Sequence, residues 1–439
     1  LRGRLVSDFL FDRPRIYINR PQLVEEVRDD TPVAKRGWQE AALAIYPFKI
    51  NLLRIRGGEL TYIDDPRRPL RVSGLQLQAN NIRNLHSRDR VYPSSFHVVG
   101  KVFETGRGVL EGNANFLAKP YPGVHALMEL DGVPLDDLRP VAGRANLSLR
   151  GGTLATKGEV EFAPWAKFLN LERVTLRQVR LDYIHTAKTA EAEERRKEKV
   201  AKAARAVTDK PGVRLQMKNF ALLDSEIGFV NRARDPDYRV FLTDTDLKVV
   251  NLSNRFREGP ATAYLTGKFM DGGSTRATAH FRPEKKDPDF DLRVSIEGTP
   301  MTRMNDLLRA YGKFDVVAGV FSLYSELEIK DGGIRGYIKP IFRDMDVYDR
   351  RQDREKTLFR KLYEGLVGGI SKLLENPPRD QVATVVEISG PVENPRSSTW
   401  QIVGRLIENA FFKAILPGFD RELEKGGKKS KKDEKPEKR

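Results

Sequence analysis

The chain has 439 residues, 39% apolar and 31% charged, with 22 Phe and 13 Tyr, a balance that suits about two to three folded domains and excludes wholesale disorder. Cysteine is absent, which excludes disulfides, thiolate nucleophiles and cysteine-bound metals. The net charge of +16 lies partly in two basic runs, 188–210 and 421–439, and is otherwise spread along the chain, which suits a solvated surface or attraction to anionic membrane surfaces.

Residues 1–47 read as an N-terminal segment that could continue an upstream anchor region; Arg2, Arg4, Asp8, Asp12, Arg13 and Arg15 interrupt its first part. No stretch approaches the roughly 18 apolar residues of a membrane-spanning helix, and no leader is recognisable, so the sequence reads as a fragment or a processed product. Residues 48–186 are expected to form a first β module. Leu75, Leu77 and Ala79 alternate with Gln76 and Gln78, and Val124, Ala126, Met128 and Leu130 keep the same two-residue period, which lines one face of a strand with apolar side chains. Residues 187–211, rich in Ala, Glu, Lys and Arg, read as a charged helical or disordered linker. A second module, 212–345, repeats the alternation in Thr245, Leu247 and Val249, in Phe290, Leu292, Val294 and Ile296, and in Leu323, Leu327 and Ile329.

Gly57-Gly58, Asp64-Asp65-Pro66, Asp271-Gly272-Gly273 and Asp331-Gly332-Gly333 read as turns, because Gly and Asp tolerate positive φ. Strands joined by such short turns run antiparallel. A one-sided apolar sheet must be covered by a second layer, curl onto itself or offer its face to something else. The helices expected at 134–141 and 300–311 are too short to cover it. Residues 346–420 read as a helical cap region with a short β segment. There Leu358, Leu362, Leu366, Ile370, Leu373 and Leu374, then Ile402, Leu406, Ile407, Ala410, Phe411, Ala414 and Ile415, recur at helical spacing. These amphipathic helices either cap the last sheet or lie on a membrane surface. The Lys-rich tail, 421–439, reads as disordered.

The two modules resemble each other. Glu59-Leu60-Thr61-Tyr62-Ile63-Asp64 returns 167 residues on as Glu226-Ile227-Gly228-Phe229-Val230-Asn231. Leu77 to Ile82 returns after 170 residues, Gly100-Lys101-Val102-Phe103 after 167, and Gly132-Val133-Pro134 after 166. Anchors in one order at a nearly constant offset predict a tandem duplication. A shorter echo runs through Leu53, Ile55, Leu60 and Tyr62, then Val174, Leu176, Leu181 and Tyr183, then Phe220, Leu222, Ile227 and Phe229. It predicts that each unit begins with the same pair of strands.

No pattern of catalysis emerges. His86, His97, His125, His185 and His280 lack metal-ligand spacing, and neither a phosphate-binding loop nor a G-x-S-x-G elbow is present. Asp64-Asp65 and Asp136-Asp137 fall at turns or helix starts, where capping accounts for them. Asp344, Asp346 and Asp349 lack the Gly and Glu of an EF-hand and read as a polar loop. The Lys-rich runs lack the interleaved aromatics of a nucleic-acid surface. The expectation is a non-enzyme with no metal, cofactor or nucleic acid.

The runs Arg309-Ala310-Tyr311-Gly312-Lys313-Phe314-Asp315-Val316 and Gly319-Val320-Phe321-Ser322-Leu323-Tyr324-Ser325-Glu326-Leu327 resemble the C-terminal part of AsmA-like proteins, in a branch without an assigned function. So do Gly336-Tyr337-Ile338-Lys339-Pro340, Leu366-Val367-Gly368-Gly369, 378–384, 389–395, Asn409-Ala410-Phe411 and Pro417-Gly418. The likeness is close over 292–419 and looser back to 48. It implies a bacterial periplasmic protein, anchored in the inner membrane by a helix upstream of Leu1. TamB-like and YhdP-like relatives in the wider superfamily form long curved sheets with an apolar groove, and are implicated in phospholipid transport between membranes or outer-membrane assembly. This chain departs from them in being far shorter, and the expected anchor falls outside its residues.

The expected fold is therefore mainly β: tandem duplicated, antiparallel, curved sheet modules forming a groove, with short helices and C-terminal amphipathic helices. Leu60, Tyr62, Leu75, Leu77, Val98, Val102, Met128, Leu130, Ile227, Phe229, Leu247, Val249, Leu265, Phe269, Val294 and Ile296 are the candidates for lining a groove that binds lipid acyl chains. For each, ordinary core packing is the competing explanation. The competing function is a periplasmic scaffold that binds other envelope proteins through sheet edges and the C-terminal helices.

Overall fold

The computed structural model describes residues 5–19, 48–63, 69–83, 92–116, 122–143, 146–163, 166–186, 213–255, 259–282, 289–312, 315–348, 381–383 and 385–391. The expected linker, both C-terminal helices, the tail and most of the N-terminal segment lie outside the described residues. The fold is mainly β, one large mixed sheet of 20 strands among the described residues. The chain divides into two compact units, the first comprising Leu1–Asp182, Ala206–Ser225 and Asp246–Ala261, the second Tyr183–Arg205, Glu226–Thr245 and Thr262–Arg439.

In the first unit β1 (Leu5–Asp12) and β2 (Arg15–Asn19) run parallel to successive parts of β3 (Phe48–Ile63). From β3 the sheet continues antiparallel through β4 (Leu70–Arg83), β5 (Ser94–Val102), β6 (Gly106–Asn115) and β7 (Gly123–Pro134). A 3-10 turn (Leu135–Leu138), α1 (Arg139–Gly143) and β8 (Leu147–Arg150) follow. The ladder resumes with β9 (Thr153–Phe162) on β7 and β10 (Lys167–Arg177) on β9, both antiparallel. After β11 (Arg180–His185), β12 (Val213–Asn231) lies parallel to β10.

These parallel pairs depart from the antiparallel expectation. Residues 20–47 and 187–212 separate the strands concerned, and a connection that long lets the chain return to the same end of the sheet before pairing. Gly57-Gly58, expected as a turn, instead lies inside β3. Gly57 has φ 61°, and the register with β4 shifts between Ile55 and Gly58, so the pair makes a bulge in one long strand. What reads as two starting strands in Leu53 to Tyr62 is thus one bulged strand, and Phe220 to Phe229 likewise lies within β12 alone. Asp344 and Asp346, expected in a polar loop, also lie in a strand.

Part of β12, part of β13 (Tyr238–Ser253) and nearly all of β14 (Ala261–Phe269) belong to the second unit. There β15 (Gly273–Phe281), β16 (Phe290–Pro300), β17 (Asp315–Lys330) and β18 (Gly333–Tyr348) form an antiparallel meander, and β18 also carries β19 (Gln381–Ala383) and β20 (Val386–Pro391). The turns expected at Asp271-Gly272-Gly273 and Asp331-Gly332-Gly333 join β14 to β15 and β17 to β18. On β17, Leu323, Leu327 and Ile329 are buried while Glu326, Glu328 and Lys330 are exposed, as the alternation predicts.

Between β16 and β17 a 3-10 turn (Met301–Met304) leads into α2 (Asn305–Gly312). Met301, Met304, Leu307 and Leu308 fall at helical spacing and are buried in one cluster with Ile296, Phe321, Leu323, Leu327, Ile338 and Phe342. The Asn305 side chain fixes the start of α2 to β17, accepting from the Val316 N–H at 2.9 Å and donating to the Val316 carbonyl at 3.0 Å. This short helix therefore closes part of its sheet face, more than its length alone predicts.

Candidate functional site: an apolar face left half open

In a β ladder, residues directly opposite each other point to the same face, so the register gives the composition of each face. In the first unit Phe11, Ile55, Leu77, Val98, Leu110, Met128, Gly158, Leu171 and Met217 stand side by side on β1, β3, β4, β5, β6, β7, β9, β10 and β12. A second row on that face reads Phe9, Leu53, Ala79, Phe96, Gly112, Ala126, Val160, Leu169 and Leu215. Between the rows, pointing the other way, come Leu10, Arg54, Gln78, His97, Glu111, Leu127, Glu159, Asn170 and Gln216. One face is thus apolar across nine strands and the other mostly polar.

The apolar face is not sealed. Part of it is buried: Ala79, Phe96, Ala114 and Ala126 belong to a cluster on which Leu53, Leu77, Val98, Leu110 and Val160 pack, and Ile55 is buried as well. The larger members Leu77, Val98, Leu110, Met128, Leu171 and Met217 are only half-buried, and Phe9, Phe11 and Leu215 are exposed. Gly112 is needed where it stands, since a Cβ there would lie 2.2 Å from the His125 carbonyl oxygen.

Of the candidates, Leu77, Val98 and Met128 lie in the first row. Leu130 joins the same face opposite Gly108 and Thr156, and Leu60, Tyr62 and Val102 face Val72, Leu70 and Val72 in turn, all half-buried. Leu75, opposite Gly58, is buried. Leu247, Val249, Leu265 and Ile227 are half-buried, and Phe229 is exposed at its edge while its ring stacks on Tyr183 at 6.1 Å. Ile296 is different, because it sits inside the closed cluster of the second unit, with Phe269 and Val294 packed against it. Sequence reasoning missed Phe9, Phe11, Leu110, Val160, Leu169, Leu171 and Met217. Alternation in 168–171 and 215–217 could have found three of them, Leu169, Leu171 and Met217, whereas Leu110 and Val160 lie among Gly, Glu and Asn.

In the first unit the polar face carries His125 Nε2 at 2.6 Å from Glu159 and His97 Nδ1 at 3.5 Å from Glu111, and the Tyr92 hydroxyl donates to Glu161 at 2.6 Å; in the second unit His280 Nδ1 lies 3.0 Å from Asp291. In the second unit a shallow hollow of about 270 Å³ is lined by Arg276, Arg293, Tyr324, Glu326 and Tyr337. Burial pushes the Tyr324 hydroxyl up, helped by its bond to Glu297. No three potential metal ligands converge among the described residues, and no described helix is long and apolar enough to cross a membrane. These pairs are what ladder neighbours of opposite charge form on any solvated sheet. No family model, curated protein or solved structure matches the chain.

Proposed function

We propose that the chain is a non-enzymatic, AsmA-like envelope protein whose open apolar face binds lipid acyl chains, and that it serves phospholipid transport between membranes or outer-membrane biogenesis from the periplasm. The observation that carries this reading is the pair of rows without a polar side chain across nine strands, in which Leu77, Val98, Leu110, Met128, Leu171 and Met217 stay half-buried while Ile55 and Phe96 are buried. An acyl chain laid along such rows gains about 0.8 kcal/mol for each CH2 it buries, without any specific polar contact. A curved sheet would deepen the face into a groove.

The duplication belongs to the same reading. Left-handed backbone recurs at the sequence offsets: Gly57 and Asp224, Gly74 and Asp244, Asn81 and Asn251, Phe103 and Met270, Glu104 and Asp271, Gly132 and Gly298. Such positions are uncommon enough that matched sets support descent from one unit. The alternative, a scaffold binding envelope proteins through its sheet edges, has the outer edge of β1 in its favour.

Detergent-free purification followed by solvent extraction and mass spectrometry tests the acyl-chain reading. Near-stoichiometric phospholipid is expected, and Leu77→Asp with Met128→Asp should reduce it at least about tenfold while the circular dichroism spectrum is kept. A lipid-free protein that also fails to bind a fluorescent phospholipid analogue would overturn it.

A further inference from the structure

The apolar face of the first unit has a floor of small side chains. On β6 and β7 Gly112 stands opposite Ala126 and Ala114 opposite Val124, where β15 and β16 have Ala279 opposite Leu292 and Phe281 opposite Phe290. Strand β4 adds Ala79, opposite Phe96 of β5. The larger side chains of the next row, Leu77, Val98, Leu110 and Met128, stand along one side of this floor as the wall of a trough. The trough is filled all the same: Ala79 and Ala114 are 0% exposed and Ala126 2%. One filling ring comes from within the ladder, that of Phe96, which faces Gly112 where β14 has Ala263. A second comes from outside it. Phe116, one residue past the end of β6, packs against the same cluster with its ring edge-on to Phe96 at 6.1 Å. The two rings are held differently. Phe96 is buried on a strand paired on both sides, whereas Phe116 is half-buried and its backbone lies beyond the ladder.

We infer that Phe116 is a displaceable plug of the acyl-chain face: its ring fills the small-residue trough in the free protein and swings out when a chain enters, so that Phe116 sets how tightly the face binds. The ring itself shows what the trough accepts, an apolar group that needs no polar partner, and an acyl chain meets the same requirement. Phe116 can leave by a change of rotamer and of backbone angles beyond β6, while Phe96 is hemmed in by paired strands. The second unit has no such exchange at the corresponding places, because Phe290 and Leu292 fill them from inside the sheet and are buried. Phe116 has this role only if the face binds acyl chains as proposed above; the plug then adds a part of that face which is closed until lipid arrives.

The test titrates a fluorescent phospholipid analogue into the full chain and into its Phe116→Ala variant. The variant should bind about tenfold tighter than wild type, because no ring has to be lifted from its seat. In parallel, 4-fluorophenylalanine is placed at position 116 or at position 96 of the otherwise unchanged chain, and broadening of the fluorine signal by a soluble gadolinium chelate is followed as lipid is added. Broadening should grow at 116, as the ring moves toward water, and should not grow at 96. This second measurement decides the matter where Phe116→Ala fails to fold. If wild type binds the analogue while a folded Phe116→Ala variant binds no tighter, or while the signal at 116 becomes more shielded, the ring stays in place; the plug is then overturned and acyl-chain binding stands. If neither protein binds the analogue, both readings fall.

Discussion

The two units carry the same alternation of apolar and polar residues and treat the apolar face differently. Around β16, β17 and β18 that face is closed: Phe321 and Leu327 are 1% and 2% exposed, and α2 with its preceding turn packs Met301, Met304, Leu307 and Leu308 onto it. Around β4 to β7 the helix that follows β7, α1, is five residues long, and Leu77, Val98, Leu110 and Met128 stay half-buried. Alternation creates an apolar face in both, but the connection after the Gly-x-Pro at the end of β7 or β16 decides whether the face becomes a core. A closed face contributes stability; an open one is available for binding.

The sharpest way to break this comparison is to place the same charge on each face. Leu327→Asp would bury a carboxylate without a partner, which costs at least about 4 kcal/mol, and the second unit is expected to unfold. Leu110→Asp keeps its carboxylate near water and should cost less than about 1.5 kcal/mol. Urea denaturation followed by tryptophan and far-ultraviolet signals measures both. Equal losses would mean that the first face is sealed as well, and the acyl-chain reading would lose its basis.

Truncation probes the same contrast more gently. Leu308→Ala removes a fully buried side chain from under α2 and is expected to cost about 3 kcal/mol. Met128→Ala, half exposed in the open row, should cost about 1 kcal/mol, because the vacated space fills with solvent or ligand. Added phospholipid should widen that gap, since a ligand bound by the folded state alone stabilises it in proportion to its affinity. The midpoint of the wild-type protein should rise with lipid, and that of the Met128→Ala variant should rise less.

Much of the fold was legible in local sequence. The alternation in 75–79, 124–130, 290–296 and 323–329 is strand in the structure, the two short helices follow Pro134 and Pro300, and the Asp-Gly-Gly runs after β14 and β17 are turns. What escaped depends on non-local pairing. The partnership of β1 with β3 and of β10 with β12 joins segments separated by long connections, for which neither strand carries a mark of its own. β6 escaped because Gly106, Gly108 and Gly112 break its apolar pattern, yet Gly112 serves close approach of β6 and β7. Whether a candidate such as Ile296 or Leu77 lies in a core or on an open face was not readable from either residue, since both sit in identical alternation and only the helix beside one of them differs.

Acid should produce the smallest difference between the units. In the second, Arg303 beside Asp271 holds that carboxyl below the ordinary aspartate value of 3.8, and Thr243 donates to it at 3.3 Å. The pair ties the turn after β14 to the turn that starts the covering helix. In the first, Arg139 and the Gly151 N–H, at 2.9 Å, lower Asp136 in the same sense. A carboxyl depressed in the folded state contributes stability that is present above the unfolded value and lost as pH falls through the folded one. Both groups are exposed, so solvent screens them and the effect is modest. Urea midpoints from about pH 5 down to about pH 2 should therefore show wild type and Asp271→Asn converging as Asp271 takes up its proton, with binding of a hydrophobic dye rising as α2 loosens. Asp136→Asn should converge with wild type as well but with a smaller dye signal, because Leu77, Val98, Leu110 and Met128 of the first unit are already half exposed in the folded state. A dye response of equal size from both variants would show that Arg303 and Asp271 do not hold the cover in place.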